Sequence, residues 1–247
     1  MRKAIILAAG MGTRLKPLTE KEHKCMTKVN GIPIIYNTLS ILQDNDFDEI
    51  IIVVGYLCNS LKKQINDFGF HLNIKYVENV EYRETNTIFS LQMALHQLDS
   101  VDELVVIEGD VFFEKSVFER LINSNAENTT ILEAYNESLD GSYVEINEKN
   151  YVVDWRHKSD QEEGYNLKDK YKTVNLHKLN GKFVREQFIK YIDDYVDEYG
   201  KNIPLEKIFR KLVQEDNKLI YGEVLGKEKW YEIDDIKDLE MAEQIFR

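Results

Sequence analysis

The chain has few prolines and few cysteines, three and two among 247 residues. So little proline excludes a stiff, Pro-rich spacer between domains. Cys25 and Cys58 are far apart and form no Cys-x-x-Cys pair. That excludes a disulfide framework and a thiolate zinc site, and suits a reducing compartment. No stretch reaches the roughly 18 uninterrupted apolar residues of a membrane span. The basic pair Arg2-Lys3 leads into "AIILAAGMG", which is too short for a secretory signal and lacks a cleavage site. A cytoplasmic location without membrane attachment is expected. Positive charge is in deficit: 32 Lys and Arg face 44 Asp and Glu, for a net charge of −12. Nonspecific nucleic-acid binding is therefore not expected. A phosphate ligand is still allowed, because a few local cations act at short range while distant acids are screened. The five histidines show no HxH or HExxH spacing, and none is assigned to catalysis.

What is present is an alternation of apolar runs and amphipathic stretches. "KAIILAAG", "FDEIIIVVGY", "LNIKYVEN" and "ELVVIEGDVFF" read as buried strands. "PIIYNTLSILQDND", "LCNSLKKQINDFG" and "NTIFSLQMALHQLD" read as the helices between them. Repeated βα units predict an α/β fold with a doubly wound, mostly parallel central sheet. From about residue 129 the pattern changes. "TTILEAY", "GSYVEINEKNYVVDWRH" and "YKTVNLHKL" suggest antiparallel strands. They are followed by a long helix over "KFVREQFIKYIDDYVDEYG", a shorter one over "PLEKIFRKLVQ", strands in "LIYGEVLG" and "WYEIDD", and a closing helix "IKDLEMAEQIF". The expectation is a single domain over 1–247, with a nucleotide-binding half (1–130) and a mixed, antiparallel acceptor-binding half (131–247). Helices with one apolar face can pack internally or across a homodimer.

The first strand runs into "GMGTRLK". Gly10 and Gly12 let an anion approach the backbone N–H groups, and Arg14 and Lys16 add charge. A dinucleotide fingerprint would need a third Gly where Leu15 stands and an acid ending the second strand, and neither is present. No GK[ST] completes a P-loop. A plain structural turn with solvent-facing cations stays open on this stretch alone.

The longer segment "LAAGMGTRLKPLTEKEHKCMTKVNGIPII" resembles the opening of the nucleotidyltransferases that activate phosphorylated sugars and amino alcohols. His23 stands where that family usually has Pro, and Lys24 keeps its place. The resemblance implies nucleotide contacts from Leu7, Ala8, Ala9, Gly10, Gly12 and Thr13, with Arg14 and Lys24 as the catalytic cations. "YRETNTIFSLQMAL" resembles the corresponding element of bacterial phosphocholine cytidylyltransferases and their phosphonate-activating relatives. There Asn86 would contact the base of CTP, and capping of the following helix is the alternative role. "KTVN" and the helix after it resemble 2-aminoethylphosphonate cytidylyltransferases.

Asp110 ends a buried strand, on the rim where a parallel sheet binds ligands. The resemblance pairs it with Asp234 as holders of Mg2+, a metal usually bound by one or two carboxylates plus substrate phosphates. Asp235 suits a helix cap. The implied reaction is attack by an acceptor oxygen on the α-phosphorus of CTP. For the acceptor, a quaternary ammonium would want an aromatic wall, with Tyr143, Trp155, Tyr171 and Trp230 as candidates. A primary ammonium would want carboxylates such as Glu108, Asp154 and Glu232. Lys172 is a candidate for the acceptor's phosphorus oxygens. A sugar-1-phosphate nucleotidyltransferase and a non-catalytic nucleotide sensor are the rival readings.

Overall fold

The computed structural model describes residues 1–247. The chain runs β1 (Arg2–Ala8), β2 (Lys28–Val29), β3 (Ile32–Pro33), α1 (Ile34–Gln43), β4 (Glu49–Val54), α2 (Cys58–Asp67), β5 (Ile74–Glu78), α3 (Thr87–Leu95), β6 (Glu103–Glu108), β7 (Val111–Phe113) and α4 (Lys115–Asn123). It continues with β8 (Thr129–Ala134), β9 (Tyr143–Ile146), β10 (Val152–Arg156), β11 (Tyr171–Asn180), α5 (Gly181–Phe183), a π turn (Val184–Phe188), α6 (Ile189–Tyr199), α7 (Glu206–Glu215), β12 (Tyr221–Val224), β13 (Trp230–Glu232) and α8 (Ile236–Ile245).

Nine strands form one twisted sheet in the order β10-β9-β11-β6-β1-β4-β5, with β8 paired to β11 and β12 to β8. β6, β1, β4 and β5 are parallel neighbours. β11 lies antiparallel to β6 and joins the two halves. β1 explains why helices must cover both faces. Ile5 and Leu7 belong to the core under α3, α6 and α7, while Ala4, Ile6 and Ala8 belong to the core under α1, α2 and α4. A strand buried on both faces has no polar side, as its continuous apolar run indicates.

The chain passes from β1 outward through β4 to β5, then returns to β6 on the other side of β1. This reversal opens a crevice at the carboxyl ends of β1 and β6, where open α/β sheets bind ligands.

Several elements depart from the sequence reading. "ELVVIEGDVFF" is two strands, not one. The break falls at Gly109, where a Cβ would lie 2.7 Å from the Leu7 carbonyl and 2.9 Å from Cys25 Sγ. After it, β7 leaves the main sheet and pairs with β13 in a small ribbon. Helix α4, with Val117, Phe118 and Leu121 buried, has no counterpart in the sequence reading. The helix after β11 passes through a π turn at Val184–Phe188. In the second half, Trp155 stacks on Phe209 at 4.7 Å and 19°. That contact fixes α7 against β10 and so fixes the position of Glu206, the first residue of α7.

Candidate active site

The crevice holds two adjoining cavities. The smaller, about 180 Å³, is lined wholly by residues between Leu7 and Asp110. The larger, about 450 Å³, is walled mainly by residues from Ser138 to Asp238. Asn86, Thr87, Glu108 and Asp110 line both, so the two spaces meet at the end of β6.

The glycine loop folds as it does for a steric reason. Gly12 has φ +57°, and a Cβ there would lie 2.9 Å from Lys24 Cβ. It therefore lets the loop close over Lys24, while Gly10 has open space where a Cβ would be. Leu7, Ala8, Ala9, Gly10, Gly12, Lys24 and Asn86 all line the smaller cavity. Thr13 lines neither cavity, and Arg14 lines the larger one.

Lys24 is the hub. Its Nζ donates to Asp110 Oδ2 at 2.8 Å and to Asp234 Oδ1 at 2.7 Å. Arg14 pairs with the same Asp234 oxygen at 2.8 Å. Burial alone would lower the Lys24 pKa, but Asp110 and Asp234 outweigh it and hold the ammonium well above its ordinary value. On Asp234, burial pushes upward and is overcome by Lys24 and Arg14, so its carboxyl stays below the usual range. The β7–β13 ribbon brings the two acids together. Ile233 N donates to the Asp110 carbonyl at 2.9 Å, extending the pairing to the residue before Asp234. Asp235 caps α8, its Oδ1 accepting from the backbone of Lys237 and Asp238.

One oxygen of Asp110, Oδ1, is buried and has no hydrogen-bond partner. An unpaired carboxylate oxygen in a crevice suits a hard cation. The carboxylates close enough to share one ion are Glu108, Asp110 and Glu232, with oxygens within 4.8 Å of one another. This trio differs from the expected Asp110–Asp234 pair: Asp234 is not among the three, and its Oδ1 pairs with Lys24 and Arg14.

The "KTVN" segment supplies the floor of the larger cavity. Lys172 is buried, with Nζ donating to Glu232 Oε2 and to the Thr173 carbonyl, both at 2.8 Å. It also lies 5.7 Å from the Trp230 ring centre. Asn175 adopts φ +61° within a register shift of β11. Its Nδ2 lies 3.2 Å from Glu232 Oε1 and 3.5 Å from Glu108 Oε2. Burial raises the Glu108 carboxyl well above its ordinary value, and the charges of Glu206, Asp110 and Glu232 add to it. Glu232 is also raised by burial, with Lys172 opposing.

Two expected acceptor contacts lie elsewhere. Asp154 does not line the cavity and binds Arg156 Nε at 2.6 Å, with Arg210 beyond. Tyr143 is fully buried, with its hydroxyl donating to the Leu139 carbonyl at 2.8 Å, and burial pushes its pKa up to about 12. Trp155 is in the core and Tyr171 packs against it, which leaves Trp230 as the one named aromatic on the cavity wall. Asn86 caps α3, its Oδ1 accepting from Thr87 N at 2.8 Å, and it also lines both cavities.

Sequence reasoning passed over Asn79, Asn175 and Glu206. Asn79 is buried in the smaller cavity and donates to Thr85 and Ser90 hydroxyls at 2.9 and 3.2 Å. Its place just after a parallel strand was a usable signal. Glu206 carried none, because an acid in the first turn of a helix is ordinary.

The model of the nucleotidyl transferase family matches residues 3–246. The chain belongs to the nucleotidyl transferase family. Among similar members is a choline-phosphate cytidylyltransferase of Streptococcus pneumoniae, 28% identical over 99% of this chain and 98% of that protein. A CMP-5'-(3-aminopropyl)phosphonate synthase of Streptomyces rubellomurinus is 29% identical over 78% of this chain, which spans only 30% of that longer protein. The solved CTP:phosphocholine cytidylyltransferase of S. pneumoniae superposes with a TM-score of 0.79 at 24% identity, covering 100% of this chain and 99% of that one. This member of the family is thus a nucleotidyltransferase enzyme with the fold its sequence predicts. No helix in it is long and apolar enough to cross a membrane.

Proposed function

We propose that this nucleotidyltransferase transfers CMP from CTP to a small phosphorylated or phosphonylated amino compound and releases pyrophosphate. The observation that carries the reading is the Lys24 ammonium, held between Asp110 and Asp234 where the two cavities meet. The relatives acting on choline phosphate and an aminopropyl phosphonate support the acceptor class. In this reading residues 1–130 hold the nucleotide, residues 131–247 wall the acceptor, and the reaction belongs to the cytoplasm.

An acceptor oxygen forms a bond to the α-phosphorus of CTP as the bond to the β-phosphate oxygen breaks. The nucleophile is already an anion, so no general base is required. The barrier is repulsion among anions, which fixed cations and in-line placement reduce. The backbone at Gly10 gives the phosphates close access. Lys24 stabilises the charge that gathers on the α-phosphate. Arg14, largely exposed and tied to Asp234 alone, takes the departing phosphates. Asn86 offers its Nδ2 to the base while its Oδ1 caps α3. The unpaired Asp110 Oδ1 fits Mg2+, which Asp110 would hold together with Asp234 through Oδ2, the oxygen paired with neither Lys24 nor Arg14. When bound, the ion would neutralise phosphate charge.

Pyrophosphate release tests the reading. Each of four nucleoside triphosphates is paired with amino phosphates, amino phosphonates and a sugar 1-phosphate in the presence of Mg2+. Release with CTP and an amino acceptor is expected. Release only with a sugar 1-phosphate, or tight nucleotide binding without any release, contradicts it.

A further inference from the structure

The reaction as described gives no part to His23, a buried residue of the smaller cavity and the neighbour of Lys24. Its backbone, at φ −68° and ψ 145°, leads into the 3₁₀ turn Lys24–Met26. Its side chain caps that turn, with Nδ1 accepting from Cys25 N at 3.1 Å. The turn has little else to hold it: Met26 N donates to the His23 carbonyl at 2.8 Å and Thr27 N to the Lys24 carbonyl at 2.9 Å. Cys25 is buried, and its N–H has no other acceptor. The imidazole bond thus joins the residue before Lys24 to the residue after it, and closes a ring around the Lys24 backbone. The Lys24 stem is confined as well, since a Cβ at Gly12 would lie 2.9 Å from Lys24 Cβ.

The cap requires one protonation state. An imidazole that accepts at Nδ1 is uncharged and carries its proton on Nε2. Burial foremost, then the Lys24 charge, lowers His23 to about 4 against the opposing pull of the Ala8 carbonyl, so the ring is neutral at neutral pH. Nε2 is buried and has no hydrogen-bond partner; the Ala8 carbonyl at the end of β1 acts on the ring without accepting that proton. A buried donor left unpaired is unfavourable, so a side chain present only to fill space would do better without it. What the imidazole adds, and an apolar side chain would not, is the bond at Nδ1.

We infer that His23 is a positioning residue for the transfer step: its imidazole fixes the turn that carries Lys24 and so aims the Lys24 ammonium at the place where the two cavities meet. This rests on the proposed cytidylyl transfer and on the part Lys24 takes in it. His23 stands where the sequence resemblance expects Pro, whose ring sets φ at about −65°. Here φ is nearly the same, and a side-chain hydrogen bond holds the turn instead.

The test measures CTP- and Mg2+-dependent pyrophosphate release with 2-aminoethylphosphonate and phosphocholine. It compares the wild type with His23→Ala, His23→Asn, Lys24→Met and the double variant of His23→Ala with Lys24→Met. A small displacement of a catalytic group costs rate heavily, so kcat of His23→Ala is expected to fall about tenfold or more, with KM for CTP within about threefold. Asparagine offers an oxygen to the same N–H, so His23→Asn is expected to keep kcat within about threefold of the wild type. If His23 acts through Lys24 the two losses are not additive, and His23→Ala is expected to add less than about threefold to Lys24→Met. Thermal stabilisation by CTP reports that each variant is folded. His23→Leu, which fills the space without offering an acceptor, replaces the alanine variant if that one does not fold. An unchanged kcat in His23→Ala overturns the inference while leaving cytidylyl transfer standing. So does a His23→Asn variant as slow as His23→Ala, or a loss that multiplies with that of Lys24→Met. Absence of CTP-dependent release by the wild type with both acceptors overturns the reading beneath it as well.

Discussion

Asp110 and Asp234 share one ammonium: Lys24 Nζ lies 2.8 Å from the first and 2.7 Å from the second. The acids come from opposite halves of the chain, and the cation between them comes from the amino-terminal loop.

Replacing Lys24 with Met keeps the stem and removes the charge. Turnover is expected to fall by about 10²-fold or more, as when one donor to a developing charge is lost. The two acids are then left without their shared counter-ion, a costly arrangement for groups mostly out of water. Added Mg2+ should therefore raise the melting temperature of Lys24→Met more than that of the wild type. Differential scanning fluorimetry over a Mg2+ series measures this, and equal shifts in both proteins contradict it.

Removal of divalent metal with EDTA is expected to abolish turnover, with restoration by Mg2+. Asp110→Asn is expected to show no such restoration, because its buried Oδ1 has no other partner. The fold of the variant is checked by circular dichroism.

Asn86→Asp separates two roles of one side chain. Aspartate still caps α3, so stability should change by only a few tenths of a kcal/mol, whereas Asn86→Ala should cost about 1 kcal/mol. Aspartate lacks the amide donor, so KM for CTP should rise in both variants. An unchanged KM in Asn86→Asp makes Asn86 a cap and nothing more.

Gly12→Ala places a Cβ 2.9 Å from Lys24 Cβ at a residue with φ +57°. A loss of about 1 kcal/mol or more is expected from the backbone alone, together with a drop in kcat as Lys24 is displaced. Chemical denaturation and steady-state kinetics read the two effects separately.

Acid should destabilise the fold through its buried histidines. Burial lowers His177 to about 3, and burial together with the Lys24 charge lowers His23 to about 4. Unfolding lets each return to its ordinary value near 6.5 and bind a proton. Their stabilising effect is therefore complete above about pH 6.5 and is lost as pH falls toward those lowered values, at up to about 1.4 kcal/mol per pH unit for each histidine. Urea denaturation between pH 6.5 and 4.5 measures the slope, and His177→Asn should reduce it.

The amino-terminal half was readable because its signals are local. A continuous apolar run, a glycine stop and a helical repeat each act over a few residues, and β1, α1, β4, α2, β5 and α3 follow from them. The family also lies in one unbroken segment around Gly10–Lys24. Residues read as a pair, Asp110 and Asp234, do converge, yet nothing local in either stretch required it.

What only the tertiary structure decided is which charges cancel. A sequence counts carboxylates, but it does not say that Lys172 serves Glu232, that Asp154 turns to Arg156, or that Tyr143 is sealed beneath a carbonyl. Those pairings depend on the β7–β13 ribbon, the register shift in β11 and the Trp155–Phe209 stack that places α7. Each is a contact between distant parts of the chain, and electrostatic energy follows distance in space. The chain alone therefore set the fold and the chemistry of its first loop. Folding set Lys24 between Asp110 and Asp234 and Lys172 against Glu232.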